Sequence, residues 1–169
     1  MFRNKIILIV VTVICLSVQS CGIYSFTGAS IPPQAKTISI QYFANNAPIV
    51  NPTLSQSLTN VIKDKFTSQT NLSLIPRNGD LQFEGEITNY SVMPMAIQGN
   101  DQAALNRLTI TVNVRFTNKF TESQNFETSF SRFEDYASSK SLNSVQDDLI
   151  ETISKALADD IFNRSVANW

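Results

Sequence analysis

The stretch Leu108-Thr109-Ile110-Thr111-Val112-Asn113-Val114-Arg115-Phe116-Thr117 alternates apolar and polar side chains without a fault. A period of two is that of a β-strand with one face buried and the other wet. A sheet built around this strand has a dry side that other elements must cover and a polar side that stays open or meets a polar partner.

Toward the N-terminus, Leu81, Phe83 and Ile87 keep odd positions apolar, whereas Tyr90 and Val92 are even. The phase flips around Thr88-Asn89, which predicts a β-bulge. Just before this run, Arg77-Asn78-Gly79-Asp80 holds an Asn-Gly pair that tolerates positive φ at both positions, and predicts a hairpin with a short strand over residues 72–76. Further upstream, Leu54, Leu58, Val61, Ile62 and Phe66 recur at helical spacing. That helix is opened either by Asn51-Pro52 or by a capping box of Thr53 and Gln56, and ends by Asn71. Ile38, Ile40 and Tyr42 alternate with Thr37, Ser39 and Gln41 as a first strand.

Toward the C-terminus, Glu122-Ser123-Gln124-Asn125 makes a turn, and Phe126, Thr128 and Phe130 begin a last strand running toward Tyr136. Phe133 is off that face, and a second phase shift returning it to the core is the simpler expectation. Gln98 to Gln102, with Gly99-Asn100-Asp101, reads as a loop. Leu142, Val145, Leu149, Ile153, Ala156, Leu157 and Ile161 share one face of a closing helix of about six turns. The expected fold class is α+β, a two-layer α/β sandwich. Its order is strand, helix, antiparallel strands, helix, with both helices on one face of the sheet.

The start of the chain reads differently. Arg3 and Lys5 precede an apolar run from Ile6 to Val18, the order of a secretory signal. The run is short of the roughly 20 residues that a spanning helix needs. Val18-Gln19-Ser20-Cys21-Gly22 follows and resembles the lipobox of bacterial lipoproteins, with Gln19 where a smaller residue is more usual. Cys15 would leave with the signal, so Cys21 is the single cysteine of the mature chain, and lipidation accounts for an otherwise unpaired thiol. The expected organisation is a signal peptide over residues 1–20, a lipidated tether over 21–36 containing Gly28, Pro32 and Pro33, and one domain over 37–169. Gly22 in place of aspartate after the cysteine favours the outer membrane.

Charge and residue inventory narrow the function. The full chain has a formal net charge of −1, and loss of Arg3 and Lys5 makes the remainder more acidic. No basic stripe is present to track phosphates, so nucleic acid is not an expected partner. The sequence has no histidine, the commonest metal ligand and general base. Asp147-Asp148 and Asp159-Asp160 are some three helical turns apart, too far to share an ion. Glu84, Glu86, Glu134 and Asp135 lack a flanking catalytic motif. No catalytic residue, metal site or cofactor is therefore expected.

Three segments together, Cys21-Gly22-Ile23-Tyr24-Ser25-Phe26, Thr37-Ile38-Ser39-Ile40-Gln41-Tyr42-Phe43-Ala44-Asn45-Asn46-Ala47 and Asn51-Pro52-Thr53-Leu54-Ser55, resemble the LptE family of lipopolysaccharide-assembly lipoproteins. The resemblance implies a lipoprotein on the periplasmic side of the outer membrane. It implies two partners: an LptD-like β-barrel, which the protein would plug and help to assemble, and lipopolysaccharide. Basic side chains near strand ends and loops are expected to meet the lipid. The candidates are Arg77, Arg107, Arg115 and Lys119, because guanidinium groups grip phosphates in a bidentate way. A lipid-anchored adhesin is the alternative, although Gly22 to Phe26 lacks the acidic run that surface export uses in some bacteria. A periplasmic hydrolase is disfavoured by the missing histidine and nucleophile motif.

Overall fold

The computed structural model describes residues 31–95 and 105–166. The signal, Cys21, the first part of the tether and the Gln98 to Gln102 loop lie outside the described residues.

In chain order the elements are β1 (Thr37–Ile40), β2 (Ala44–Asn45), α1 (Leu54–Gln69), β3 (Ser73–Leu74), β4 (Leu81–Met95), β5 (Leu105–Asn118), a 3-10 turn (Glu122–Gln124), β6 (Phe126–Ala137) and α2 (Leu142–Val166). They form the expected α+β two-layer arrangement. One sheet runs in the order β3-β1-β4-β5-β6, with β2 on β4 beyond the end of β1. Both helices share one hydrophobic core with a single sheet face: Leu58, Ile62 and Phe66 of α1 and Ile153, Leu157 and Ile161 of α2 meet Ile38, Phe83 and Val112.

Each element follows from local chemistry. All five apolar positions of the β5 alternation are buried, from Leu108 to Phe116. Between β4 and β5 the register shifts between Ile87 and Asn89, so Thr88 is the extra residue. The bulge rotates the strand by one position and puts both Ile87 and Tyr90 inside. Asn51 starts α1: its Oδ1 accepts the N–H groups of Thr53 and Leu54 at 2.9 and 3.1 Å, while Thr53 makes no side-chain cap. α2 runs 25 residues, a turn longer than its spacing suggested. Of its expected face Ile153, Leu157 and Ile161 are buried and Leu142, Val145, Leu149 and Ala156 only partly so, while Ile150, Ser154 and Ala158 join the buried set.

One expectation is overturned. The Asn-Gly turn does not close a hairpin, because β3 and β4 are not partners; β1 lies between them and is parallel to both. Physically, β3 has two residues, both exposed, and cannot sustain a ladder. β1 is buried and needs a neighbour on each edge. The residues joining β3 to β4 therefore cross over β1 on the side away from the helices. Asn78 does adopt positive φ, at 58°. Gly79 rests directly on the strand: a Cβ there would stand 2.5 Å from the Ser39 nitrogen and 2.7 Å from the Ile38 carbonyl carbon. The sheet is mixed for that reason, with antiparallel pairing confined to β4, β5 and β6.

Packing also begins ahead of Thr37. Ala35 is buried, Ile31 packs against the core, and the Ala35 N–H closes a turn on the Pro32 carbonyl at 2.9 Å.

Candidate functional site

Two surfaces stand out: the sheet face that neither described helix covers, and the end of the domain where the chain enters it. Both are positioned by the strand directions. β1, β4 and β6 run away from the entering end, while β5 and both helices run toward it.

On the uncovered face the registers align Met93, Arg107 and Asp135 in one row and Glu84, Arg115 and Glu127 in another. Arg107 is held in a fork: its Nε and one terminal nitrogen donate to the two Asp135 carboxylate oxygens, each at 2.8 Å. Its guanidinium also lies 3.6 Å from the centroid of the Phe133 ring. Hydrogen bonds from Arg107 hold the Asp135 carboxyl below its ordinary value. Arg115 sits between two carboxylates, at 3.2 Å from Glu127 and 3.5 Å from Glu84. All three side chains are more than half exposed, so these pairs add little stability.

Phe133 is not in the core. β6 pairs with β5 in continuous register from Phe126 to Ala137, with no second phase shift, so an odd position stays outside. The ring is 51% exposed, and Met93, on β4 across Arg107 from it, is 65% exposed, two apolar side chains on an otherwise polar face.

At the entering end, Asp80 acts as a buckle. Its Oδ2 accepts the N–H of Lys36 (2.9 Å), the N–H of Thr37 (3.0 Å) and the Thr37 hydroxyl (2.9 Å). The Asp80 N–H in turn donates to Thr37 Oγ1 at 3.0 Å. Its carbonyl accepts the Lys119 N–H at 3.1 Å. The Lys36 N–H and then the Thr37 hydroxyl hold the Asp80 carboxyl below the ordinary 3.8. A depressed carboxylate contributes stability that is complete above its unfolded pKa and is lost as pH falls through the folded value. Asp80→Asn is therefore expected to cost about 1 kcal/mol at neutral pH. The difference from wild type should shrink on acidification below 3.8. Urea midpoints across that range measure it; a pH-independent gap would contradict the assignment.

The four sequence candidates do not form one site. Arg107 and Arg115 lie in different rows of the sheet face, eight positions apart along β5. Arg77 and Lys119 lie at the entering end, where Lys119 Nζ donates to the Asn78 carbonyl at 2.7 Å. Arg77 has no ion-pair partner among the described residues. Two cations at that end, Lys36 and Arg164, were missed, because only the tertiary contacts bring residues 36 and 164 near the β5–β6 turn. Asp159 and Asp160, read as solvated, pair with Lys65 at 2.7 Å and with Arg132, whose Nε donates at 2.6 Å. Among the described residues no group of three His, Cys, Asp or Glu side chains stands close enough to hold a metal ion. No described helix is long and apolar enough to cross a membrane.

The fold is that of a two-layer α+β domain with both described helices on one face of a mixed sheet. The family model described as "Lipopolysaccharide-assembly", LptE, matches residues 35–165. The chain belongs to the LptE family, a non-catalytic assembly family whose lipoproteins are associated with the outer membrane. No curated protein matches the sequence. Among solved structures, a minor lipoprotein from Acinetobacter baumannii aligns at 15% identity and TM-score 0.50, covering 77% of this chain and 91% of that one. A hypothetical protein from Chlamydia trachomatis aligns at 8% identity and TM-score 0.53, covering 79% and 99%. A Xanthomonas campestris protein aligns at 9% and 0.51, covering 80% and 91%. At such identities these likenesses speak for the fold alone.

Proposed function

We propose that the protein is an outer-membrane lipoprotein, acylated at Cys21, that joins an LptD-like β-barrel, helps it assemble and sits within it as a plug. It contacts lipopolysaccharide as the lipid passes to the surface, and it performs no catalysis. The observation that carries this reading is the family match over residues 35–165. The uncovered face of β4, β5 and β6 supports it, because its polar side chains suit a wet barrel lumen and Phe133 with Met93 offers an apolar contact within that surface.

Arg77, Arg107, Arg115 and Lys119 remain the proposed phosphate contacts. Arg77 and Lys119 are the better placed, since Arg107 and Arg115 already face carboxylates. The test is mild detergent extraction followed by affinity purification of the full-length protein. A large β-barrel protein is expected to come with it. Recovery as a free monomer alone, together with unchanged surface lipopolysaccharide and barrel maturation after depletion, would end the proposal.

A further inference from the structure

Four exposed cationic side chains gather at the end where the chain enters the domain. Lys36 is next to the Asp80 buckle, and Arg77 precedes Asn78, to whose carbonyl Lys119 donates. Arg164, in the last turn of α2, lies 5.0 Å over the ring of Phe126, the first residue of β6. Between them the β5–β6 turn holds out Phe120, 47% exposed. Among the described residues the carboxylates at this end are Asp80, whose oxygen is taken up by backbone N–H groups, Glu122, and Glu127, which pairs with Arg115. In a chain of net negative charge this end is thus locally positive.

The chain outside the structure ends here. Ile31 lines a cleft with Lys36 and residues 69–72, at the finish of α1. Cys21 lies ten residues upstream, a reach of at most about 35 Å. β4 alone, at 15 residues, is roughly 50 Å long. The tether is therefore shorter than the long axis of the domain, and whatever Cys21 is fixed to stays within reach of this end.

We propose that, before the domain is taken into a barrel, this end rests on an anionic bilayer surface, with Lys36, Arg77, Lys119 and Arg164 against headgroup phosphates and Phe120 dipping between them. The proposal rests on the reading of Cys21 as lipidated. Each basic side chain near such a surface adds enough attraction to change partitioning about fivefold. Phe120 adds apolar contact at the interface.

The test uses the full mature protein, reconstituted in vesicles of phosphatidylglycerol and phosphatidylethanolamine with brominated acyl chains. In a Trp169→Phe background, Phe120→Trp and Met93→Trp report on opposite ends of the domain. Quenching is expected for the indole at position 120 and not for that at 93. Equal quenching, or quenching at 93 alone, overturns the proposal. Substituting Lys36, Arg77, Lys119 and Arg164 by glutamine should weaken vesicle partitioning of the Cys21→Ser protein about fivefold per charge. If those variants lose detergent-dispersed lipopolysaccharide while vesicle partitioning is unchanged, this end is a glycolipid site and the proposal also falls. Mass spectrometry of the native protein reads acylation separately. Unacylated Cys21 with position 120 still quenched removes the anchor and keeps the contact; acylated Cys21 with no preference between positions removes the contact alone.

Discussion

Exchange of Cys21 for serine is expected to move the purified protein completely from the detergent phase to the aqueous phase in a cloud-point partition. No described helix is long and apolar enough to cross a membrane. A single acyl chain gives marginal, reversible binding, and stable anchoring takes more than one hydrophobic group. The diacylated cysteine that the lipobox resemblance implies meets that requirement. Without it, an uncharged cloud-point detergent offers the basic side chains no surface charge to be drawn to. The partition isolates the anchor from any barrel partner, which would otherwise hold the serine variant at the membrane. Detergent-phase recovery of the Cys21→Ser protein would contradict lipidation at this residue.

Phe83→Ala should have the largest effect on the fold, lowering the unfolding free energy by about 4 kcal/mol. Phe83 is fully buried and sits in the middle of an aromatic chain that crosses the core. Its ring centroid is 4.7 Å from that of Phe66 on α1 and 4.8 Å from that of Phe116 on β5. Phe116 in turn stands 5.4 Å from Phe126 on β6. Removing the central ring opens a cavity and breaks two aromatic pairs, one that ties α1 to the sheet and one that joins β4 to β5. Domains of this size are stable by only about 5–15 kcal/mol, so the variant should be near the threshold of folding at body temperature. Urea unfolding followed by circular dichroism measures the loss. A change under about 1 kcal/mol would mean that the core reorganises around the missing ring.

Much of this architecture was legible in the sequence because the long elements are one-sided. β5 shows its period without interruption, the bulge at Thr88 announces itself as a change of phase in β4, and both helices carry an apolar stripe. What the sequence hid was set by contacts between distant residues. β3 is two residues long and carries no period, so nothing local told that β1 would slide between it and β4. Of the Asn78-Gly79 pair only Asn78 takes the expected positive φ, and such a pair serves a hairpin or a crossover alike; the close approach of Gly79 to Ser39 tells them apart. The candidate site was less legible still. Arg107 and Arg115 looked equivalent on the strand, but register gives one a forked carboxylate and an aromatic ring and the other two loose carboxylates. Lys36 and Arg164 were passed over because they are neighbours of the β5–β6 turn in space alone.

The Asp80 buckle bears on how the molecule carries load. A protein tethered at one end and gripped elsewhere feels tension along its leading segment, and here that segment is β1, held on both edges by strands running the same way. A pull from the tether acts along the strand, so the hydrogen bonds to β3 and β4 share the force together and do not open one by one. Asp80 stands near the start of that path, just after the packed Ile31 and Ala35, and its bonds to Lys36 and Thr37 share the tension with the first rung of the ladder, the Ser73 N–H on the Lys36 carbonyl. The fold is therefore braced in shear at the place where a membrane would tug on it.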